Sequence, residues 1–381
     1  MALAQGISPG SMINSSKSKS QLQVIWEQFR KHQLAVFGGI ILAALYVGAI
    51  FAPFISPYSL SEYSTTDITK FQQPTHIYVI DPENGHLQWP FVYKSKRFTN
   101  PDTFEEGYTE DRTAKFPIKL FHNRPESPFR LFGIIPMTVH LFGVDAPGNV
   151  FILGTDGFGR DSFTRIWYGA QISLTIGIFS VAISTILGLF LGGLAGFFGG
   201  WVDNLIMRFV EVLSAIPDLF LLLSLSAMIP RNIDPVVSFY GIIFVLGFIG
   251  WGGLARTIRS QISALREVDF VQAATALGAS EMRIIGKHML PVTFSLLIVG
   301  LSLAIPGAIL AESGLSFLGY GIREPYSSWG LMVSVAQEGG FASIQYRPWV
   351  LIPGFFIVLA VLCWNFLGDG LRDAVDPRKR Q

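Results

Sequence analysis

DFVQAATALGASEMRIIGKHMLP, Asp269 to Pro291, lies between two long apolar runs and matches neither of them. It is polar, rich in small residues, interrupted by Gly278 and ended by Pro291. Placed on a helix, Phe270, Ala273, Ala274 and Leu277 fall at i, i+3, i+4 and i+7, which is one face, while Gln272 and Thr275 point elsewhere. Gly278 then caps or breaks that helix. Ser280 caps a second one, with Glu281 in its first turn where negative charge suits the helix dipole. Met282, Ile285 and Met289 form an apolar stripe, Arg283, Lys287 and His288 follow, and Pro291 ends the element. Two short amphipathic helices joined by a glycine are expected. A slim helix with a small-residue face suits a groove on another protein. A hairpin lying on lipid headgroups would favour Trp, Phe and Leu opposite lysines, and Ala-Ala-Thr-Ala buries little area.

The flanking runs set the class of protein. The chain has 381 residues, is 50% apolar and only 14% charged, with mean hydropathy +0.45; globular chains carry about 25% charged residues. An integral membrane protein is expected. Six runs reach the roughly 18 residues that cross a bilayer core: about 34–55, 172–197, 204–229, 236–255, 292–317 and 349–368. More than thirty mixed residues precede the first run, so no cleavable signal is expected. Net charge +1 gives no reason for a nucleic-acid surface. The single cysteine, Cys363, excludes an intrachain disulfide and a cysteine metal site.

Basic residues orient the spans. Lys17, Lys19, Arg30 and Lys31 precede the first run. Arg256, Arg259, Arg266, Arg283 and Lys287 lie between the fourth and fifth. Arg372, Arg378, Lys379 and Arg380 follow the last. With six spans these three segments share one side, the cytoplasmic side, so both termini and the 269–291 stretch are expected there. The 318–348 loop carries only Arg323 and Arg347 and falls outside. The loop 256–291, about 35 residues, is too long for a plain helix connection, usually roughly 2–8 residues.

The domains read as a cytoplasmic segment 1–33, a first span 34–55, an external β-rich insertion 56–150, a core 151–370 with five further spans, and a tail 371–381. In the insertion, Ile77–Ile80 and Leu87–Tyr93 flank a turn over Asp81-Pro82-Glu83-Asn84-Gly85, a hairpin pattern. FPIKLF, FRLFGII and NVFIL read as short strands. Aromatics including Tyr63, Tyr78, Phe91, Tyr93 and Phe104 supply a small core. A docking surface for an extracytoplasmic partner is the favoured role.

Gly188, Gly192, Gly196 and Gly200 recur every four residues, as expected where two membrane helices approach closely. Arg208, Glu211 and Asp218 in the third span and Glu312 in the fifth are costly in lipid and must face protein or water. Arg208 and Glu211 suit an i, i+3 pair. Glu312 reads as a cap for the LSFLG segment near the outer end.

QAATALGASEMRIIGKHMLP resembles the EAA loop of ABC importer permeases, with Ala273, Ala274, Gly278, Ile284, Ile285, His288, Leu290 and Pro291 at matching positions. Gln272 replaces the usual glutamate, removing its charge. LGTDGFGRDSFTRIWYGAQISL (Leu153 to Leu174), AESGLSFLGYGIREPYSSWG (Ala311 to Gly330) and NFLGDGLRDAVDPR (Asn365 to Arg378) resemble signatures of the dipeptide and oligopeptide group. The resemblance covers 153–378 and points to the second, C-type permease subunit, with an extra external insertion.

That resemblance implies an all-α polytopic fold of six spans in a bacterial or archaeal cytoplasmic membrane. It implies a heterodimer with a second permease, two ATP-binding subunits that hold ATP and Mg, and an extracytoplasmic binding protein that delivers peptides. Phe270, Gln272, Ala273, Ala274, Leu277 and Gly278 would contact an ATPase, with Ser280, Arg283, His288 and Pro291 supporting the loop. The chain has no GxxxxGK[ST] phosphate loop, no nucleophile–base constellation and no His or Cys at metal-ligand spacing. No catalytic residue, metal or cofactor is assigned to it. Asp156, Arg160 and Asp161 in GTDGFGRD read as a glycine turn with an Arg–Asp pair. Relatives of the group take oligosaccharides, opines or nickel. A secondary transporter is the reading from another class; it predicts inverted repeats with broken helices.

Overall fold

The computed structural model describes residues 21–60, 69–99, 106–230, 232–338, 340 and 345–375. Lys17, Lys19, Tyr63, Phe104, Arg378, Lys379 and Arg380 lie outside these residues.

The helices follow the apolar runs, with different ends. α1 covers Gln21–Phe29. α2 covers Gln33–Ile50 and starts where the His32 ring accepts the Ala35 N–H at 3.2 Å. It stops at Phe51, and a four-residue helix α3, Ala52–Ile55, with Pro53 in its first turn, follows; the 34–55 run is therefore two helices. α4, Ser162–Phe198, has 37 residues and begins well before Ile172. At about 1.5 Å per residue it is longer than a bilayer core of roughly 30 Å. Its early start comes from Asp161, whose carboxylate accepts the Thr164 N–H at 2.8 Å and the Thr164 hydroxyl at 2.7 Å, an N-cap.

The 204–229 run is not one helix. It forms α5, Gly200–Ala215, and α6, Asp218–Ala227, set 90° apart. Pro217 has no N–H and disfavours helical backbone at Ile216, which is extended at φ −92°, ψ 129°. α7, Pro235–Leu265, is capped by Asp234 on the Val236 N–H at 2.7 Å. It runs through Arg256 and Arg259, so the first part of the expected 256–291 loop is helix. α8 is Asp269–Ala276 and α9 is Glu281–Arg283; a π-turn, Ile284–Met289, leads into α10, Leu290–Phe317. α11 is Trp329–Glu338, and α12, Ile352–Val375, ends the described chain. Five of these helices are long and apolar enough to cross a membrane, and the bent α5–α6 pair is a sixth candidate.

Leu45, Leu174, Ile309 and Ala360 form one buried cluster joining α2, α4, α10 and α12. The α4–α7 seam is built on glycines. A Cβ on Gly188 would meet Leu254 at 2.9 Å, one on Gly192 the Ala255 carbonyl at 2.5 Å, and one on Gly196 the Arg259 carbonyl at 2.6 Å. Gly247 answers from α7, where a Cβ would meet Ile183 at 2.7 Å. Gly200 does not extend the seam. It lies past the end of α4 at φ +55°, with nothing within 4 Å of its Cβ position; its role is to turn the chain into α5.

Between α3 and α4 the chain forms three small sheets. β1 (Tyr78–Ile80), β2 (Leu87–Thr99) and β3 (Glu106–Pro117) pair in that order, antiparallel. β4 (Lys119–Asn123) pairs with β7 (Val139–Gly143), and β5 (Phe129–Leu131) with β6 (Ile135–Met137). FRLFGII is thus a hairpin rather than one strand. NVFIL is no strand at all; its backbone is held instead by the Tyr58 hydroxyl on Val150 N–H at 3.0 Å and by Thr75 Oγ1 on Phe151 N–H at 3.0 Å. His140 fastens the sheets to α3: its ring nitrogens lie 2.5 Å from the Ser56 carbonyl and 3.0 Å from the Ser127 carbonyl.

Candidate functional site

Two features are candidates: the α8–π-turn hairpin and a cavity in the bundle. The hairpin is held by one residue. Val271 is 2% exposed and packs with Ile258 and Ile262 of α7 and with Ile284, Ile285 and Met289 of the π-turn. Ala274 turns half inward beside it. Ala273 and Gln272 are exposed, as is Phe270, and Leu277 is 87% exposed. Five of the six residues expected to contact a partner are therefore exposed: Phe270, Gln272, Ala273, Leu277 and Gly278. The expected face Phe270–Ala273–Ala274–Leu277 is split between solvent and core, because Val271 supplies the anchor.

Gly278 closes α8 in a Schellman turn. The Ala279 N–H donates to the Ala274 carbonyl at 3.1 Å and the Gly278 N–H to the Thr275 carbonyl at 2.9 Å, with Ala274 and Ala279 both packed on the same cluster. Gly278 has φ +76° and open space around its Cβ position. Backbone conformation, not crowding, requires glycine there.

The second half of the hairpin departs from expectation. Ser280 stands at the N-cap of α9 without a side-chain capping bond. Ile284, Ile285 and Met289 carry the buried stripe, and Met282 is exposed. Pro291 does not end an element; it sits in the first turn of α10, where a missing N–H costs nothing. Arg283 is exposed and His288 half-buried. The helix passes into α10 through a π-turn, a rare form that is frequent at functional sites. Gln272 donates its side-chain amide to the Glu267 carbonyl at 3.1 Å, at the end of α7.

The cavity occupies about 790 Å³ between α4, α6, α7, α10 and α12. Its walls are mainly apolar, with hydroxyls from Ser180, Ser184 and Thr185. Those hydroxyls donate to carbonyls of Ile176 at 2.6 Å, Gly247 at 2.8 Å and Val181 at 2.6 Å. Their protons are committed to backbone, so the wall offers little directional chemistry. Asp218, at the start of α6, and Arg372 are the charged side chains on its lining.

Arg208 and Glu211 pair at 2.9 Å on the exposed face of α5, away from that lining. Glu312 is buried inside α10 and accepts from Ser173 of α4 at 2.9 Å and from Ser316 at 2.7 Å. Ser173 also accepts the Trp329 N–H at 3.2 Å. Glu312 therefore ties α10 to α4 and to the start of α11, a wider role than capping LSFLG. In GTDGFGRD, Asp156 accepts the N–H groups of Phe158 at 2.8 Å and Arg160 at 3.0 Å. Arg160 pairs with Asp156 at 2.7 Å and with Glu324 at 2.7 Å, and Arg165 reaches Glu324 at 3.1 Å. The 153–174 and 311–330 segments thus lock together at the opposite ends of α4 and α10 from the hairpin.

Residues 184–381 match the family model described as "Binding-protein-dependent transport system inner membrane component". This chain belongs to that family. Residues 20–74 match the N-terminal transmembrane domain of oligopeptide transport permease C. The dipeptide transport system permease protein DppC of Bacillus subtilis is 33% identical over 96% of this chain and 88% of its own length. The oligopeptide transport system permease protein OppC of the same organism is 30% identical over 96% of this chain and 93% of its own. OppC of Haemophilus influenzae is 44% identical over 60% of this chain and 70% of its own length. The permease is thus a C-type subunit of the peptide ABC importer group and a multi-pass inner-membrane protein.

Proposed function

We propose that this permease imports peptides as one half of a heterodimer, driven by two cytoplasmic ATPases that dock on the α8–π-turn hairpin. The observation that carries the proposal is the hairpin itself. It buries Val271 against its own chain and leaves Phe270 and Leu277 without cover. Exposed apolar residues on a rigid, glycine-capped element suit a groove in a partner. Closure of the ATPases on ATP would push on α8, and the π-turn would pass the push to α10 and the cavity. Ser280, Arg283, His288 and Pro291 support the loop in this scheme rather than touch the partner first.

In this reading the chain crosses six times, counting α5–α6 as one span, with both termini and the hairpin in the cytoplasm and the β-sheets outside, facing the binding protein. The cavity is this subunit's share of the path. Apolar walls with committed hydroxyls suit substrates with varied side chains, and Asp218 and Arg372 suit their charged ends. ATP and Mg belong to the partner subunits. The test is co-purification of the tagged permease with its candidate ATPases, together with ATP-driven peptide uptake into proteoliposomes. A permease that captures no ATPase, or a Gly278→Val variant that transports normally, overturns the scheme.

A further inference from the structure

We propose that the β5–β6 turn is a membrane anchor that dips into the lipid at the end of α2. α2 lies within the segment matched by the family's N-terminal transmembrane domain. It presents Leu34, Phe37, Ile40, Val47 and Ile50 outward, an apolar strip that this chain leaves uncovered. At the end of the helix the strip does not stop. The Phe132 ring meets Phe51 edge-on, with centroids 5.5 Å apart, and the Phe121 ring lies 6.3 Å from that of Phe54. Phe121 of β4 is 65% exposed, Phe132 is 55% exposed and Ile134 is 80% exposed. Two sheets thus carry the exposed apolar strip past the helix end.

The turn itself is unusual for one that faces water. Phe132 has φ +54° and Gly133 φ +73°, and the Ile134 N–H donates to the Leu131 carbonyl at 3.2 Å. Two successive positive φ angles are supplied most readily by Asn-Gly. A phenylalanine there is a conformational outlier, and Phe121 shares it at φ +52°. Backbone held this way persists where the side chain's placement matters. Both rings are turned out beside the span instead of into a sheet core. The exposed Arg130 stands beside the tip, where a cation suits lipid phosphates. Aromatic rings at this depth match the interfacial belt of membrane proteins. Among the described residues, no ring contact joins the β1–β2 tip at Leu87, also exposed, to α2 or α3.

The test labels Ile134→Cys with a nitroxide in the assembled transporter, reconstituted in nanodiscs of phosphatidylethanolamine and phosphatidylglycerol. Cys363, the chain's single cysteine, is buried and takes little label. A label at Leu87→Cys is the water-exposed reference. The expected result is a several-fold higher ratio of oxygen to nickel-chelate collision rates at position 134 than at position 87. Adding Phe132→Asn, which tolerates the same backbone and keeps the turn, lowers that ratio toward the reference. Equal ratios at the two positions overturn the anchor. So does a position that is open to the nickel chelate until the binding protein is added, which would make the turn a protein-docking surface.

Discussion

The Gln272 side-chain amide donates to the backbone carbonyl of Glu267 at 3.1 Å, tying α8 to the end of α7. A glutamate here, as in the EAA pattern that this loop resembles, cannot make that bond, because an ionised carboxylate only accepts. That bond makes the expected work of the residue local. Its loss at an exposed site costs about 0.5–1 kcal/mol. Gln272→Glu and Gln272→Ala should therefore couple ATP hydrolysis to uptake nearly as well as the parent, within roughly fivefold, since 1.4 kcal/mol is tenfold. Uptake per ATP in proteoliposomes checks this; abolition by Gln272→Glu alone would show that the neutral amide is required here.

Gly278 separates conformation from space. Nothing lies within 4 Å of its Cβ position, yet φ is +76°. Asn tolerates this region, Ala pays about 1–2 kcal/mol, and β-branched residues more. Uptake should fall in the order Gly278, Asn, Ala, Val, while the amount of inserted protein stays the same. Equal uptake by Val and Asn variants would rule out the Schellman turn as the element that sets α8.

The glycine seam gives a contrast between neighbours. Gly192→Ala places a Cβ 2.5 Å from the Ala255 carbonyl, which cannot rotate away, whereas Gly193→Ala meets a side-chain methyl of Ile285 at 3.4 Å. The first should destabilise by about 1–3 kcal/mol and the second by far less. Thermal denaturation of the detergent-solubilised complex reads the difference; similar melting of the two variants would count against close α4–α7 packing.

The β1–β3 sheet should respond to acid. The Lys115 ammonium, 2.9 Å away, and the Glu83 N–H hold the Asp81 carboxyl below its usual value. A carboxyl lowered by folding contributes stability that is present above its unfolded value near 3.8 and fades as pH drops through the folded one. Protection factors of the amides across 78–99 should be high at neutral pH and fall below about pH 4. Lys115→Met should move that fall to higher pH. Protection that is independent of Lys115 would remove the clasp from the account.

Much of this was legible in the sequence, for physical reasons. Apolar runs mark α2, α4, α7, α10 and α12 because lipid demands length and apolarity. The β1–β2 hairpin shows alternation and a Gly85 turn. What escaped was set by partners distant in sequence. The start of α4 depends on Asp161 and on Arg165 meeting Glu324. β3, Glu106–Pro117, is polar on both faces and carries no hydrophobic period. Val271 escaped because Phe270 completes a tidier stripe with Leu277, and the π-turn has no residue signature. Pro217 between Ile216 and Asp218 was the visible sign of the α5–α6 bend. Gly200 fitted the four-residue period but belongs to the turn.

The central claim is that the α8 tip is the surface an ATPase grips. The direct measurement places a photo-crosslinking side chain at Leu277 in the assembled transporter in membranes, with one at Leu87 as the distant control. An adduct is expected between position 277 and an ATP-binding subunit, and none from position 87. An assembled, ATP-driven transporter in which position 277 reaches no ATPase, and in which Leu277→Asp leaves uptake intact, would contradict it.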